Sequence, residues 1–169
     1  YAQLLMAVFT ADLPADLTER LHTTAEALSP EDKSLEAYRL RGWTISHPDW
    51  IRANRIRGGL RARWQALFQE VDVVLCPPMP TPAFPHDHSP QRMRELDVDG
   101  TKMPYNDQLA WAALATLIGL PATAAPIGRT ENGLPIGVQI VGGYLQDRMT
   151  IAFAGLIERE FGGFTPPPL

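Results

Sequence analysis

The sequence predicts an α/β chain in which helices pack on strands, and three observations carry that prediction. The first seventy or so residues place apolar side chains at spacings of three and four. Residues 71–141 contain short, apolar, largely β-branched runs that stop at Pro or Gly. A helix-length apolar segment lies between those runs and another follows them. With 169 residues, 45% hydrophobic and 20% charged, the chain has the composition of globular protein rather than of disorder. At this length roughly 70% of the unfolded surface can be buried without a disulfide or a structural metal.

Taken in order, Leu13, Leu17, Leu21, Ala25 and Leu28 fall on one face of a helix predicted over 12–28. Ser29-Pro30-Glu31-Asp32 reads as the next helix start, with Ser as cap, Pro at the first helical position and acids facing the dipole, and places Ser34 inside that helix. Gly42 is its expected stop. Ser46-His47-Pro48-Asp49 offers a further start, after which Ile56, Leu60, Trp64, Leu67 and Val71 mark a long amphipathic helix. The interior pair Gly58-Gly59 costs roughly 1 kcal/mol per residue against Ala, which predicts close backbone packing or a kink there.

Val71 to Cys76 reads as a buried strand halted by Pro77-Pro78. Residues 77–90 hold six prolines, so an extended loop is expected along a surface or cleft. A helix over Asn106 to Ile118 should end at Gly119-Leu120-Pro121, followed by a strand over Ala122 to Ile127, a turn at Asn132-Gly133 and a strand over Ile136 to Val141. Asp147 is the expected cap of a last helix with Ile151, Phe153, Ala154, Ile157 and Phe161 as apolar positions.

Composition removes several function classes. The net charge of −4 supplies no electrostatic footprint for nucleic acid. The apolar stretch around Leu109 to Ile118 is far shorter than the roughly 20 residues of a bilayer span, so no membrane is expected as partner. The single Cys76 excludes an internal disulfide, and such cysteine usage places the expected location in the cytoplasm. The chain opens at Tyr1 and enters the apolar run Leu4 to Phe9, a beginning expected of a fragment or a processed chain.

Nucleophilic catalysis needs Ser, Cys or Thr beside a base. The four serines are Ser29, Ser34, Ser46 and Ser89; two read as helix caps, one as a helix residue and one as part of the Pro-rich loop, and none sits in a Gly-rich elbow. Cys76 ends a buried strand, where a small apolar residue belongs. Lys33 and Lys102 have no obvious serine partner. His86-Asp87-His88 lies in extended chain, where neighbours alternate sides and distant ligands would be needed, so no metal is expected. Arg52, Arg55, Arg57, Arg61 and Arg63 spread over the polar half of their helix and read as a solvated face. Gly137 to Gly143 lacks the Lys-Ser or Lys-Thr of a phosphate loop. On its own residues the chain carries no complete catalytic constellation.

A longer pattern runs from Gly119-Leu120-Pro121-Ala122-Thr123 through Pro126-Ile127-Gly128 to Asn132-Gly133-Leu134-Pro135-Ile136-Gly137-Val138-Gln139-Ile140-Val141-Gly142. It resembles the C-terminal part of the amidase signature family of hydrolases. The arginine-rich helix, Asp72 to Pro77 with Pro80-Thr81-Pro82, and Tyr105 to Ile118 agree with the family in the same order, so the resemblance covers about His47 to Phe161.

The resemblance implies that residues 1–169 are the C-terminal portion of a single amidase domain, 1–70 mainly helical and 71–169 strands and helices, in which helices cover the strands of a mixed sheet. It implies a parent that cleaves a carboxamide to a carboxylic acid and ammonia or amine through an acyl-serine intermediate, with no cofactor and no metal. The family's Ser nucleophile, bridging Ser in a cis peptide, Lys base and Gly/Ser-rich segment belong to its N-terminal part and match no position here. No catalytic residue is therefore assigned to this chain. What carries over is scaffold and pocket wall, with Thr81, Tyr105 and Trp111 as the substrate-pocket candidates, although Trp111 also reads as helix core. The implied partners are a small amide substrate and the N-terminal part of the amidase, with a homodimer as a further expectation from the apolar face a lone fragment exposes. The alternative reading is a non-catalytic amidase-like scaffold or binding module that pairs with another polypeptide. A complete small enzyme built on Cys76 or on His86 and His88 is the third.

Overall fold

The computed structural model describes Met6 and residues 13–166, so the rest of the run 4–9 and the closing Pro167-Pro168 lie outside the described residues. Two compact units are present, Tyr1–Ala62 and Arg63–Leu169.

In the first unit, helix α1 (Ala15–Glu26) packs against α2 (Leu35–Trp43). The cap of α2 lies five residues beyond the Ser29 that the sequence predicts. Ser34 is the N-cap, its Oγ accepting the Ala37 N–H at 3.1 Å. The cause is local. The Asp32 carboxylate accepts the Ser34 N–H at 2.8 Å, and Arg41 donates to the Asp32 and Ser29 carbonyls at 2.7 and 2.9 Å. Residues 29–34 are thereby held as a turn, and Ser29 serves that turn by accepting the Glu31 N–H. Gly42 is buried within the last turn of α2 rather than past its end. Helix α3 (His47–Leu67) begins where the sequence places it, with the Ser46 Oγ accepting the Asp49 N–H at 3.2 Å. Gly58 and Gly59 sit inside α3 with nothing within 4 Å of where a Cβ would project, so the expected close packing is not made among the described residues.

The second unit carries the sheet. Strand β1 (Val73–Cys76) pairs antiparallel with β5 (Pro135–Gly142), which pairs antiparallel with β4 (Ala122–Arg129), giving the order β1-β5-β4. All strand pairings among the described residues are antiparallel. Helix α5 (Asp147–Phe161) packs on β4 and β5. Its Phe153, Ala154 and Ile157 meet Ala125, Ile127, Val138 and Ile140 in the core. Ile140 and Val141 are fully buried, each burial contributing about 1.5–3 kcal/mol. Asp147 is the first residue of α5 rather than its cap, which is Gln146. Thr150 ties this helix to the sheet, its hydroxyl accepting from Thr123 Oγ1 at 2.8 Å and donating to the Asp147 carbonyl at 2.9 Å.

Helix α4 (Leu109–Ile118) follows a 3₁₀ turn over Tyr105–Gln108. It ends as the sequence predicts, with Gly119 left-handed at φ 69°. The Gly119 N–H bonds the Thr116 carbonyl and the Leu120 N–H bonds that of Ala115, the pair of bonds that closes a Schellman cap. Between the Pro-rich segment and α4 stands a hairpin that the sequence reading lacks. Strands β2 (Glu95–Val98) and β3 (Thr101–Pro104) are joined at Asp99-Gly100, whose φ values are 52° and 80°. Two positive φ angles in a two-residue loop match the twist of paired strands, and Asp-Gly supplies them at little cost.

Candidate functional site

Three turn segments of the second unit enclose a cleft of about 470 Å³. One is the Pro-rich segment that leaves β1, contributing Pro80 to Pro85 and Asp87; the second is the β2–β3 hairpin; the third is the β4–β5 turn, contributing Thr130, Asn132 and Leu134. Thr81 and Tyr105 both line this cleft. Trp111 is not among its lining residues; it stands on α4 with 39% of its surface exposed.

Each wall is stiffened by its own sequence. Proline fixes φ and removes a donor along 77–90. The Asp87 carboxylate accepts the Ser89 N–H at 2.8 Å, and the hydrogen bonds from Ser89, more than the nearby Arg94 charge, hold its pKa below the ordinary 3.8. Arg94 Nε donates to the Ser89 carbonyl at 2.7 Å, and the Tyr105 N–H bonds the Arg94 carbonyl at 2.9 Å. The Tyr105 ring is thus set between two groups, the Arg94 guanidinium 5.7 Å from its centroid and Phe84 edge-to-face at 6.0 Å. At the third wall Thr130 Oγ1 accepts the Leu134 N–H, the Thr130 N–H bonds the Leu134 carbonyl, and Gly133 takes φ 79°.

Buried Gln139 links the cleft's supports. Its Nε2 donates to Cys76 Sγ and to the Trp111 carbonyl, each at 3.2 Å, tying the end of β1 and the first turn of α4 to β5. The Thr81 hydroxyl is itself buried with no hydrogen-bond partner among the described residues.

Ser34 and Ser46 cap helices, Ser29 closes a turn, and Ser89 lies in the Asp87 turn. Lys102 lies 3.7 Å from Asp97 across the hairpin. Cys76 is buried against Gln139. His86 and His88 meet edge-to-face at 6.1 Å, and no group of three His, Cys, Asp or Glu residues is arranged to hold a metal ion among the described residues. No helix among them is long and apolar enough to cross a membrane.

Sequence reasoning missed the hairpin, and with it the Glu95 to Asp99 side of the cleft. The signal was present in Asp99-Gly100, a turn dipeptide flanked by Leu96, Val98 and Met103.

The family model described as Amidase matches residues 19–151. The chain belongs to the amidase family. Among its relatives, one of the subunits of the glutamyl-tRNA(Gln) amidotransferase of Zymomonas mobilis is 35% identical over 119 residues, covering 70% of this chain and 22% of that protein. The fatty-acid amide hydrolase 2-A of Danio rerio is 44% identical over 64 residues, covering 38% of the chain and 12% of that protein. A solved amidase superposes with a TM-score of 0.61 at 27% identity, over 88% of this chain and 32% of that one. The chain therefore spans about a fifth of the length of that amidotransferase subunit and about a third of that of the solved amidase.

Proposed function

We propose that this chain is the C-terminal portion of a single amidase domain whose parent hydrolyses a carboxamide to a carboxylic acid and ammonia or amine, through an acyl-serine intermediate on a serine outside these residues. The chain supplies scaffold and pocket wall. Thr81 and Tyr105 form part of the substrate-facing surface, whereas Trp111 stands outside this cleft on α4. The observation that carries this reading is the stiffened cleft in which Thr81 and Tyr105 stand together within a family-matched segment. Support comes from what the chain leaves open. The serines are spent on caps and turns, the outer edges of β1 and β4 have no strand partner among the described residues, and Leu109, Trp111 and Leu114 are exposed on α4. An N-terminal part bearing the nucleophile and base is the proposed partner of those surfaces, and the cytoplasm the proposed location.

The test is ammonia release from a panel of simple carboxamides, comparing the complete encoded polypeptide with residues 1–169 alone. Turnover by the complete polypeptide and none by residues 1–169 is expected. Hydrolysis by residues 1–169 alone would overturn the assignment of the nucleophile. Failure of the complete, folded polypeptide on every amide would instead favour the non-catalytic scaffold.

A further inference from the structure

The lining of the cleft separates one class of chemical group from another. Eight of its fifteen lining residues are apolar or aromatic, among them Pro80, Pro82, Phe84, Leu96, Tyr105 and Leu134. Phe84 and Tyr105 meet at 86°, presenting one ring edge to the other ring's face, an arrangement that extends readily to a third ring. The volume of about 470 Å³ falls within the roughly 300–1,000 Å³ of small-molecule sites. The lining also holds Asp87, Glu95, Asp97 and Asp99, and no Lys, Arg or His is among the lining residues. Of the cations on the same segments, Lys102 pairs with Asp97, Arg94 and His88 bear on Asp87, Arg94 also lies over the Tyr105 ring, and Arg129 donates to the Gly133 carbonyl of the third wall. Asp87 accepts the Ser89 N–H, which favours its charged form, and Asp97 accepts the Gly100 N–H. A carboxylate entering here meets Glu95 and Asp99, which make no ion pair among the described residues, and finds no Lys, Arg or His in the lining to replace its hydration.

Resting on the reading of this cleft as substrate-binding, we infer that it receives an uncharged, apolar, ring-sized group of the amide substrate and rejects amides that carry a carboxylate on that group. The apolar cavity and its aromatic pair define what fits; the acidic surround defines what is refused.

The experiment uses the complete polypeptide and two matched pairs, benzamide with 4-carboxybenzamide and acetanilide with 4-acetamidobenzoate, so that either side of the amide bond can present the ring. In the pair that is turned over, kcat/KM for the uncharged member should exceed that for the carboxylate by about tenfold or more, and the ratio should shrink as salt is raised from low to physiological ionic strength. The isosteric double variant Glu95→Gln/Asp99→Asn should reduce the ratio several-fold, and Asn-Gly keeps the hairpin turn. Equal or better turnover of the carboxylate member overturns the inference. So does a wild-type ratio indifferent to salt, a readout that does not depend on how the variant folds. Turnover of acetamide with neither ring pair accepted also overturns it while leaving amide hydrolysis intact, whereas no turnover of any amide overturns the underlying reading.

Discussion

Gly142 closes β5 at the point where α5 turns back over the sheet, and the space for its side chain is already taken. A Cβ built there lies 2.6 Å from Thr150 Cγ2, 3.5 Å from the Gln146 carbonyl oxygen and 3.7 Å from Pro121 Cγ. Thr150 is 1% exposed and both bonds of its hydroxyl, to Thr123 Oγ1 and the Asp147 carbonyl, fix its rotamer. Rotating the methyl away would break them, so Gly142→Ala must shift backbone. Overpacking of this kind costs about 1–3 kcal/mol, against which the smaller unfolded-state entropy of Ala returns about 0.4–1 kcal/mol. The net expectation is a loss of about 1–2 kcal/mol. Thr150→Ser deletes the offending methyl and keeps the hydroxyl; alone it should cost about 1 kcal/mol for one buried methyl. In the Gly142→Ala background the same change should be neutral or stabilising, a coupling of at least about 1 kcal/mol. The assay is equilibrium urea unfolding of wild type, both single variants and the double variant. Additivity within about 0.5 kcal/mol, as for sites that do not touch, would refute this account of the β5–α5 junction.

Other consequences are simpler to state. Gly119→Ala forces a Cβ into the left-handed cap of α4 at φ 69° and should lower stability by about 1 kcal/mol, read as the urea midpoint; an unchanged midpoint would contradict the cap. Gln139→Leu removes the donor shared by Cys76 Sγ and the Trp111 carbonyl and should cost about 1–3 kcal/mol, with the tryptophan emission spectrum shifting as the first turn of α4 loosens around Trp111. Asp87 has a folded pKa below its ordinary 3.8, chiefly through the Ser89 hydrogen bonds, so its contribution is present above that ordinary value and lost as pH falls through the lowered one. Unfolding of Asp87→Asn followed from neutral to acid pH should therefore show a deficit relative to wild type that is constant above the ordinary value and shrinks as pH falls below it.

Much of the second unit was legible because its boundaries are written in residues with few conformational options. Pro77-Pro78 ends β1, Gly119 caps α4, and Asn132-Gly133 lies in the β4–β5 turn. The first unit was harder where two residues compete for one role. Ser29 and Ser34 both make acceptable caps, and Arg41, nine residues beyond Asp32, decides between them by clamping the 29–34 turn, a contact that no local pattern announces. Among the described residues Gly58 and Gly59 have no close neighbour of the kind a glycine pair implies. The cleft was legible only in part. Thr81 and Tyr105 follow from the family-like pattern, but the acidic wall depends on a hairpin between them in sequence, and the four-residue strands β2 and β3 give period-2 alternation little length in which to register.

That two walls of the cleft are turn segments and the other is a short hairpin has a mechanical consequence. A wall made of ordinary loops would lose ordering entropy when a ligand arrived, about 0.5–1.5 kcal/mol for each side chain immobilised. Here the ordering is done in the folding of the chain itself. Proline restricts the 77–90 segment, the Ser89, Arg94 and Tyr105 contacts link it to the hairpin, and Thr130 with Leu134 closes the third turn. Gln139 then fastens the end of β1, from which the first wall departs, to the strand that leaves the third. A substitution at Gln139, outside the cleft lining, should therefore weaken ligand binding through the same bonds by which it weakens folding. The two losses should track each other across Gln139 variants, and a variant that lost stability while keeping full affinity would separate the scaffold from the site.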